Sequence, residues 1–321
     1  RPMGKDYKKA FEKAANEVLE GSEYELEIVV EMIRDGSIKP INDALNNFFG
    51  YHDVDLVTGI VSCQGFQYSI EKFEKKRVPF LCSNVGEHFF PAKGYNNHVF
   101  LNSVHLWQQT WLLGYFAVAQ LGSKGLIISA TYDSGYAFAV AFQLGMRAAN
   151  SEVNGELTLL PMPTDGGPSP VEESFDSIDI ESKDFVFALL CGEEATLFLE
   201  EFKTRQLYKK VGLCGLPFLL APGEQDLSGL SVYTTMSDFD HIEDAGFVNV
   251  FRNLGAYAGK VVGQSILENK GKIEAEKLDQ TLVEMDNNRS YQSTSSPKNL
   301  NEISVLKNTF NSGNEISSTV V

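Results

Sequence analysis

Apolar residues in the first hundred positions alternate between helical and strand-like spacing. Tyr7, Phe11, Ala14 and Val18 recur every three or four residues, which is typical of a helix that buries one face. The next apolar block, residues 26–30, is short and rich in β-branched residues, and it predicts a strand. The same reasoning predicts helices at about residues 41–48 and 66–74, and strands at residues 55–61, 79–82 and 99–101.

The alternation begins again after a long apolar helix at about residues 106–121. Strands are predicted at residues 124–130, 156–160, 185–190 and 211–214, and helices at residues 134–150, 194–206 and 247–267. The tail beyond about Asp286 fits either strands at residues 291–295 and 303–306 or a poorly ordered end. Two successive runs of alternating helices and strands predict an α/β protein with two Rossmann-like lobes, each built on a parallel, doubly wound sheet.

The first predicted element is a helix, whereas a doubly wound domain normally opens with a strand at its centre. We therefore expect that residues before Arg1 are missing from this sequence, namely a first strand and, as a further option, a signal peptide. No apolar run approaches the roughly 18 residues of a membrane span, so direct membrane insertion of this sequence is not expected.

The charge balance is strongly acidic, with 27 basic and 43 acidic residues and a formal net charge of −16. Such a charge repels phosphate backbones and anionic membrane surfaces. Nucleic acid is therefore not expected as a partner.

Motifs for catalysis, metal binding and cofactor binding are missing from the sequence. It has no GxSxG elbow, no HExxH, no Walker loop and no GxGxxG after a strand. The five histidines are scattered, and no His or Cys spacing is typical of a zinc site. The sequence therefore predicts no enzyme, no cofactor and no metal.

Polar residues instead cluster just past the carboxyl ends of predicted strands, where open α/β sheets bind ligands. These candidate ligand-binding residues are Ser62, Cys63, Gln64, Ser83, Asn84, Asp133, Tyr136, Gly192 and Glu193. Each of them has an equally simple structural explanation as a turn or helix-cap residue, and Asp133 or Ser134 is a good N-cap candidate. Their shared placement is the stronger argument for a ligand site.

The sequence allows two interpretations of the cysteines and two of Trp107. Cys63 and Cys82 in the first run, and Cys191 and Cys214 in the second, are either small buried thiols or pairs that form disulfides in an oxidising compartment. Trp107 lies four residues before a second tryptophan and could cover a ligand, although core packing is the favoured interpretation.

Four segments, in order and at similar spacing, resemble the type I periplasmic binding proteins, specifically the branched-chain amino-acid receptors of ABC transporters. Residues 54–62 (VDLVTGIVS) resemble the family's VDAVIGPLSS, and residues 76–83 (KRVPFLCS) resemble its GVPLISP. Residues 99–102 (VFLN) are similar to its VFRT strand, and residues 125–136 (GLIISATYDSGY) to its KVAILYDDDYG segment. The similarity covers most of the chain.

The resemblance implies three crossings between lobes, near Ser103, Thr234 and Asn288. Lobe one would comprise residues 1–103 and 235–288, without its first strand, and lobe two residues 104–234 and 289–321. Family ligands are commonly amino acids, and Tyr136 stands where the family often has a ligand-contacting tyrosine. Cys63 stands where a carboxylate-binding serine is usual, and Glu87 near a hydroxyl residue, which adds Glu87 to the candidates.

The function implied by the resemblance is capture of a small polar or amino-acid-like solute by hinge closure, for delivery to a membrane ABC permease. The location would be the periplasm or another extracytoplasmic space, with a lipid anchor on the precursor as an option. The same fold also serves as the sensing domain of receptors and regulators, which is the first alternative. An α/β enzyme is the weaker alternative.

Overall fold

The computed structural model describes residues 2–33, 37–86, 98–130, 133–161, 169–220, 225–236, 247–287 and 303–321. Its helices are α1 (Pro2–Leu19), α2 (Ile38–Asn47), α3 (Cys63–Lys76), α4 (Leu106–Gln120), α5 (Asp133–Ala149), α6 (Val171–Ser177), α7 (Glu193–Thr204), α8 (Phe247–Glu268) and α9 (Ala275–Asn287). Its strands are β1 (Val57–Ile60), β2 (Phe80–Asn84), β3 (Val99–Ser103), β4 (Gly125–Ser129), β5 (Glu156–Leu159), β6 (Phe185–Leu189), β7 (Gly212–Gly215), β8 (Ser231–Met236), β9 (Ser304–Phe310) and β10 (Ile316–Val320).

The chain divides into two compact units. The first comprises Arg1–His105 and Val248–Pro297, and the second comprises Leu106–Phe247 and Lys298–Val321. Each unit has its own sheet and its own cluster of buried apolar residues. The lobe limits derived from the family resemblance remain a prediction.

The first unit contains a parallel sheet in the order β1-β2-β3. All five residues of β2 are buried, as expected for the middle strand of a parallel sheet. Aromatic side chains of α3 cover this strand, and the rings of Phe73 and Phe80 stack with centroids 4.4 Å apart. Helix α3 begins at Cys63 because the Ser62 hydroxyl accepts a hydrogen bond from the Gly65 amide, and it ends at Arg77 in the left-handed conformation.

Helices α1 and α8 of the first unit approach each other through glycines. An added methyl group at Gly255 would collide with the carbonyl of Tyr7, and one at Gly259 would collide with the carbonyl of Phe11. Only glycine permits this separation between the helix backbones. The contact fixes the position of α1 against α8. It therefore also fixes the position of Tyr7, whose side chain reaches the sheet.

The second unit contains a seven-stranded sheet in the order β10-β9-β8-β7-β6-β4-β5. Strands β4 to β8 pair in parallel, whereas β9 and β10 pair antiparallel at one end. The chain order reverses at β4, because β5 lies on one side of it and β6 on the other. This reversal is a topological switch point.

Helices cover both faces of the second sheet. Leu126 and Ile128 pack in one cluster with Phe175 of α6 and Phe198 of α7. On the opposite face the ring of Phe142 in α5 stacks on Phe187 of β6 with centroids 3.9 Å apart. The predicted α/β fold with parallel sheets is confirmed, and the antiparallel pairing of β9 and β10 departs from the prediction of purely parallel sheets.

Most predicted elements are present within a few residues of the predicted limits, but the strand at residues 26–30 is wrong. Residues 24–33 adopt no regular secondary structure, and no described strand pairs with them. A strand requires a neighbour for its backbone hydrogen bonds, and a β-branched pattern alone does not supply one. Helices α6 and α9 and strands β8 and β10 were not predicted. In the tail, β9 confirms the strand alternative for residues 303–306, and residues 291–295 lie outside the described residues.

Candidate functional site

The switch point of the second sheet brings two predicted loops together. Strands β4 and β6 pair directly, with Ser129 opposite Leu189 in the parallel register. The segments that follow them lead into α5, which begins at Asp133, and α7, which begins at Glu193. Ligands of open α/β sheets bind in the crevice beyond the carboxyl ends of such strands. This is the strongest geometric reason to place a site here.

The turn between β6 and α7 presents Gly192 and Glu193. Gly192 has φ 62° and ψ −136°, a conformation that side chains disfavour, and an added methyl group there would meet no atom within 4 Å. The Glu193 side chain is exposed in the first turn of α7, where its negative charge complements the helix dipole. The turn therefore offers open space beside one exposed carboxylate.

A second carboxylate of this turn lies inside the unit. Glu194 is only 6% exposed, and its Oε1 accepts a long hydrogen bond of 3.4 Å from the Ser169 amide. Burial, together with the negative charge of Glu194, raises the pKa of the Cys191 thiol. Glu194 was not among the predicted residues, although its position one residue after Glu193 could have suggested it.

The turn between β4 and α5 is described in part. The Ser129 hydroxyl donates to the carbonyl of Ala130 at 2.9 Å and is therefore satisfied within the turn. Asp133 is the first residue of α5, which fits the predicted start of this helix. The side chains of Asp133 and Tyr136 lie outside the described part of the structure, so their ligand roles remain predictions.

In the first unit, β1 leads into the start of α3. Ser62 is the N-cap, and its Oγ accepts from the Gly65 amide at 3.2 Å, so the capping explanation is correct for this residue. Cys63 is 2% exposed. Gln64 lies in α3, and its side chain is outside the described part of the structure.

Ser83 stands in a buried hydrogen-bond network at the end of β2. Its Oγ lies 2.9 Å from the Tyr7 hydroxyl and accepts at 2.9 Å from the Asn102 side-chain amide. The Tyr7 hydroxyl also lies 2.7 Å from Thr58 Oγ1, which donates to the carbonyl of Leu81 at 2.9 Å. The network thus joins α1 to β1, β2 and β3.

The number of hydroxyl protons fixes the direction of every bond in this network. Thr58 has one proton and gives it to a carbonyl, so it must accept from Tyr7. Tyr7 must then accept from Ser83, which in turn accepts from Asn102. Burial raises the pKa of Tyr7 to about 12, although its bonds to Ser83 and Thr58 lower it in part. Tyr7 therefore remains a neutral donor at ordinary pH.

Asn84 follows Ser83 and is fully buried. Its Oδ1 accepts from the Gly86 amide at 2.8 Å and closes the turn after β2, whereas its Nδ2 has no hydrogen-bond partner among the described residues. Within the same described part of the chain, the Oδ1 of Asn102 likewise has no hydrogen-bond partner. Glu87, the last predicted residue of this loop, lies outside the described residues.

Sequence reasoning missed Tyr7, Thr58 and Asn102. Asn102 could have been found, because it lies one residue before the end of strand β3, opposite Ser83 of β2 in the parallel register. Tyr7 could not have been found, because its helical spacing indicates core packing and nothing in the sequence places its hydroxyl beside the sheet.

Other chemistry in the described residues is limited. All four cysteines are free thiols, and burial raises the pKa of Cys214 well above its usual range. Within the described ranges no three His, Cys, Asp or Glu side chains gather as metal ligands, and no helix has the length and apolarity of a membrane span.

A surface depression of about 670 Å³ lies at the amino ends of β4 and β5, where Ser123, Lys124 and Asn154 line it. It contains none of the predicted site residues. Its Lys183 is paired with Glu156 at 2.6 Å. We place the candidate site at the carboxyl ends because the sheet reverses there and polar side chains gather there.

Comparison with known proteins gives matches at the level of structure alone. No protein-family model and no curated protein matches the chain. An ABC-transporter solute-binding protein from Rhodopseudomonas palustris HaA2, solved with p-hydroxybenzoic acid, matches with TM-score 0.68 and 14% identity, covering 100% of this chain and 92% of that one.

Two amino-acid-binding proteins match comparably. The leucine-binding protein LivK from Thermotoga maritima matches with TM-score 0.63 and 15% identity, covering 100% of this chain and 93% of that one. LivJ from Streptococcus pneumoniae, solved with isoleucine, matches with TM-score 0.63 and 13% identity, covering 98% of this chain and 94% of that one. The chain therefore has the fold of the type I periplasmic binding proteins.

Proposed function

We propose that the chain is a solute-binding protein that captures a small polar solute and releases it unchanged. The observation that carries the proposal is the similarity of fold over 98% to 100% of the chain to solved solute-binding proteins. A shared fold alone does not fix function, so the proposal also uses the strand-end residues.

The turn after β6 supports a solute-binding site. In the second unit, the open turn at Gly192 and the exposed Glu193 lie at the switch point of the sheet. Capture would follow hinge closure, in which the solute stabilises the closed form by its higher affinity for it.

The charge at the switch point indicates the class of ligand. The neighbours named above were solved with p-hydroxybenzoic acid and isoleucine, both of which carry a carboxylate. In this chain Glu193 places an exposed carboxylate at the switch point, which favours a solute with an amine or several hydroxyl groups. An amino acid or another small solute with a donor group satisfies this requirement.

Delivery to a membrane ABC permease in an extracytoplasmic space follows from the same proposal. The neighbour solved with p-hydroxybenzoic acid is described as a solute-binding protein of an ABC transporter. The permease would recognise the closed, loaded form, because that form differs from the empty one.

The proposal is tested by thermal unfolding in the presence of amino acids, benzoates, polyamines, sugars and nucleosides. A solute at about 100 times its Kd adds about 2.7 kcal/mol to the free energy of unfolding, so a true ligand raises the Tm measurably. If no class raises the Tm, the proposal is contradicted.

A matched pair of variants locates the site. Glu193 and Glu276 are both exposed glutamates in the first turn of a helix, in α7 and α9. We expect Glu193→Gln to weaken the ligand-induced rise in Tm and Glu276→Gln to leave it unchanged. Equal behaviour of the two variants would contradict the placement at the switch point.

A further inference from the structure

A buried carboxylate stands at the start of α7, directly beside the turn that holds the candidate site. Glu194 follows Gly192 and Glu193 in the sequence, but it is only 6% exposed, whereas Glu193 is exposed. Glutamates are almost never fully buried unless their charge is compensated. The place of Glu194 in the first turn of α7 supplies part of that compensation through the helix dipole.

The carboxylate of Glu194 reaches a second loop of the same unit. Its Oε1 accepts at 3.4 Å from the amide of Ser169, a residue that is 3% exposed. Ser169 lies in the link between β5 and α6, whereas Glu194 follows β6. Because β5 and β6 lie on opposite sides of β4, the bond joins the loops that follow the two neighbours of β4. The end of β4 is where the sheet reverses, so the bond borders the candidate site.

The sequence around Ser169 gives this bond its weight. Residues 168–170 read Pro-Ser-Pro, and proline has no backbone N–H. The amide of Ser169 is therefore the single backbone donor of this triplet. A segment with one donor can be held by backbone donation at one place, and that donor meets Glu194.

The bond lies at the edge of the apolar cluster of the second unit. Ala130, Leu160 and Leu190 directly follow β4, β5 and β6, and all three belong to this cluster. Val171 at the start of α6 and Ala195 in the first turn of α7 belong to it as well. A charged side chain placed among such residues needs a hydrogen-bond donor, which explains why the Ser169 amide turns towards it.

The charge of Glu194 also acts on the turn after β6. Cys191, the residue before Gly192, is partly exposed, and burial together with the negative charge of Glu194 raises the pKa of its thiol. A charge that changes the ionisation of another group lies close to it. The Cys191 thiol therefore reports on the Glu194 charge at the candidate site.

We propose that Glu194 is a positioning residue of the candidate site, whose carboxylate anchors Ser169 and so holds the link before α6 against the turn after β6. In this role Glu194 acts through the two loops and not by contact with the solute. A site loses affinity when its supporting contacts are loose, even if the contacting residues are present. The effect of Glu194 on solute affinity rests on the proposed function, whereas its hold on Ser169 does not.

Hydrogen exchange of the Ser169 amide tests the bond directly, by NMR of the whole chain with labelled serine amides. Glu194→Ala removes the acceptor, and we expect exchange to be about tenfold faster or more. Glu194→Gln keeps an oxygen acceptor and should stay within about threefold of the wild type.

The matched control is Glu200→Ala. Glu200 also lies in α7, and its Oε1 accepts from a backbone amide of another segment, that of Gln225, at 3.3 Å. The control should leave the exchange of Ser169 unchanged. Equal exchange in Glu194→Ala and Glu200→Ala would overturn the proposal. If Glu194→Ala does not fold, Glu194→Asp withdraws the acceptor by one methylene group and keeps the charge. The same faster exchange is then expected, and an unchanged rate would count against the proposal.

The thiol of Cys191 provides a readout that a purely structural role would not change. Glu194→Gln removes the charge and keeps the acceptor, so the pH profile of the reaction of Cys191 with a thiol reagent should shift to lower pH. Glu200→Gln should not shift it. Identical profiles in the two variants would contradict the position of Glu194 beside the turn.

Calorimetry separates this proposal from the proposed function. The compound that raises the Tm of the wild type most is titrated into each protein. We expect its Kd to rise about fivefold or more in Glu194→Ala and to stay unchanged in Glu200→Ala. An equal Kd in wild type and both variants would overturn the positioning role. If no compound binds the wild type, the proposed function fails, and the exchange of Ser169 alone decides whether Glu194 anchors the link.

Discussion

The hydroxyl oxygens of Tyr7 and Ser83 lie 2.9 Å apart in the interior of the first unit, although the residues are 76 positions apart in sequence. This contact joins the first helix to the middle strand of the sheet. It also occupies the hydroxyl group of a residue predicted to contact ligand. In the structure described, Ser83 positions the end of β2, and any contact with a solute would be an additional role.

Replacement of Tyr7 by Phe tests the network. The variant removes the donor to Thr58 and the acceptor of Ser83, and it leaves the proton of the buried Ser83 hydroxyl without its acceptor. We expect a loss of about 1–3 kcal/mol in the free energy of unfolding, measured with urea. The control is Tyr51→Phe, because Tyr51 is 84% exposed, and its effect should stay within about 0.5 kcal/mol. Equal losses in both variants would contradict the network.

The pH dependence of stability provides a second test of Tyr7. Its pKa is raised from 10.0 to about 12 in the folded state, mainly by burial. Below pH 10 Tyr7 is neutral in the folded and the unfolded state, and its full contribution to the free energy of unfolding is retained. Above pH 10 the unfolded chain ionises first, so stability falls as the pH rises towards 12.

The expected loss from Tyr7 is about 2 kcal/mol by about pH 12, at about 1.4 kcal/mol for each pKa unit. Urea unfolding of the wild type and Tyr7→Phe across this range isolates the contribution, because other alkaline groups affect both proteins. The variant should lose less stability than the wild type. Parallel alkaline curves would contradict the assigned pKa.

The glycine contact between α1 and α8 predicts opposite outcomes for two identical substitutions. Gly259→Ala places a methyl group against the carbonyl of Phe11 and should lower the free energy of unfolding by about 1–3 kcal/mol. Gly4→Ala, in α1, meets no atom within 4 Å and should raise it by up to about 1 kcal/mol. Thermal or urea unfolding measures both. Stabilisation by Gly259→Ala would show that the helices are further apart than described.

The cysteines predict a graded reaction with a thiol reagent. Cys63, Cys82 and Cys214 are buried, whereas Cys191 is partly exposed with a raised pKa. One thiol should therefore react in the native protein, faster as the pH rises, and four in denaturant. Cys191→Ser should abolish the native reaction. Fewer than four thiols in denaturant without reductant would indicate a disulfide.

The elements that were predicted well are those whose pattern is local. The helix at Phe247–Glu268 and the buried strands β4 and β6 carry continuous or periodic apolar residues that need no partner to be recognised. Residues 26–30 carry a similar pattern, but no described strand pairs with them. Pairing depends on a neighbouring strand, which a local pattern does not contain.

The sequence could predict only those residues of the candidate site that follow the ends of predicted strands. The rule that ligands bind beyond the carboxyl ends of parallel strands singled out Asp133, Gly192 and Glu193, which follow β4 and β6. The structure then showed that β4 and β6 are neighbours in the sheet. The roles of Tyr7 and Glu194 depend on tertiary contacts, with Ser83 and with the Ser169 amide, between residues far apart in sequence. No sequence spacing encodes such contacts.

Solute binding is the central claim, and isothermal titration calorimetry tests it most directly. The compound that gives the largest rise in Tm is titrated into the chain, and the recovered compound is analysed by mass spectrometry. We predict one solute bound per chain, with a Kd of about 1 μM or tighter, and an unchanged compound after recovery. The absence of binding heat for every compound class, or conversion of the compound into a product, would contradict the account.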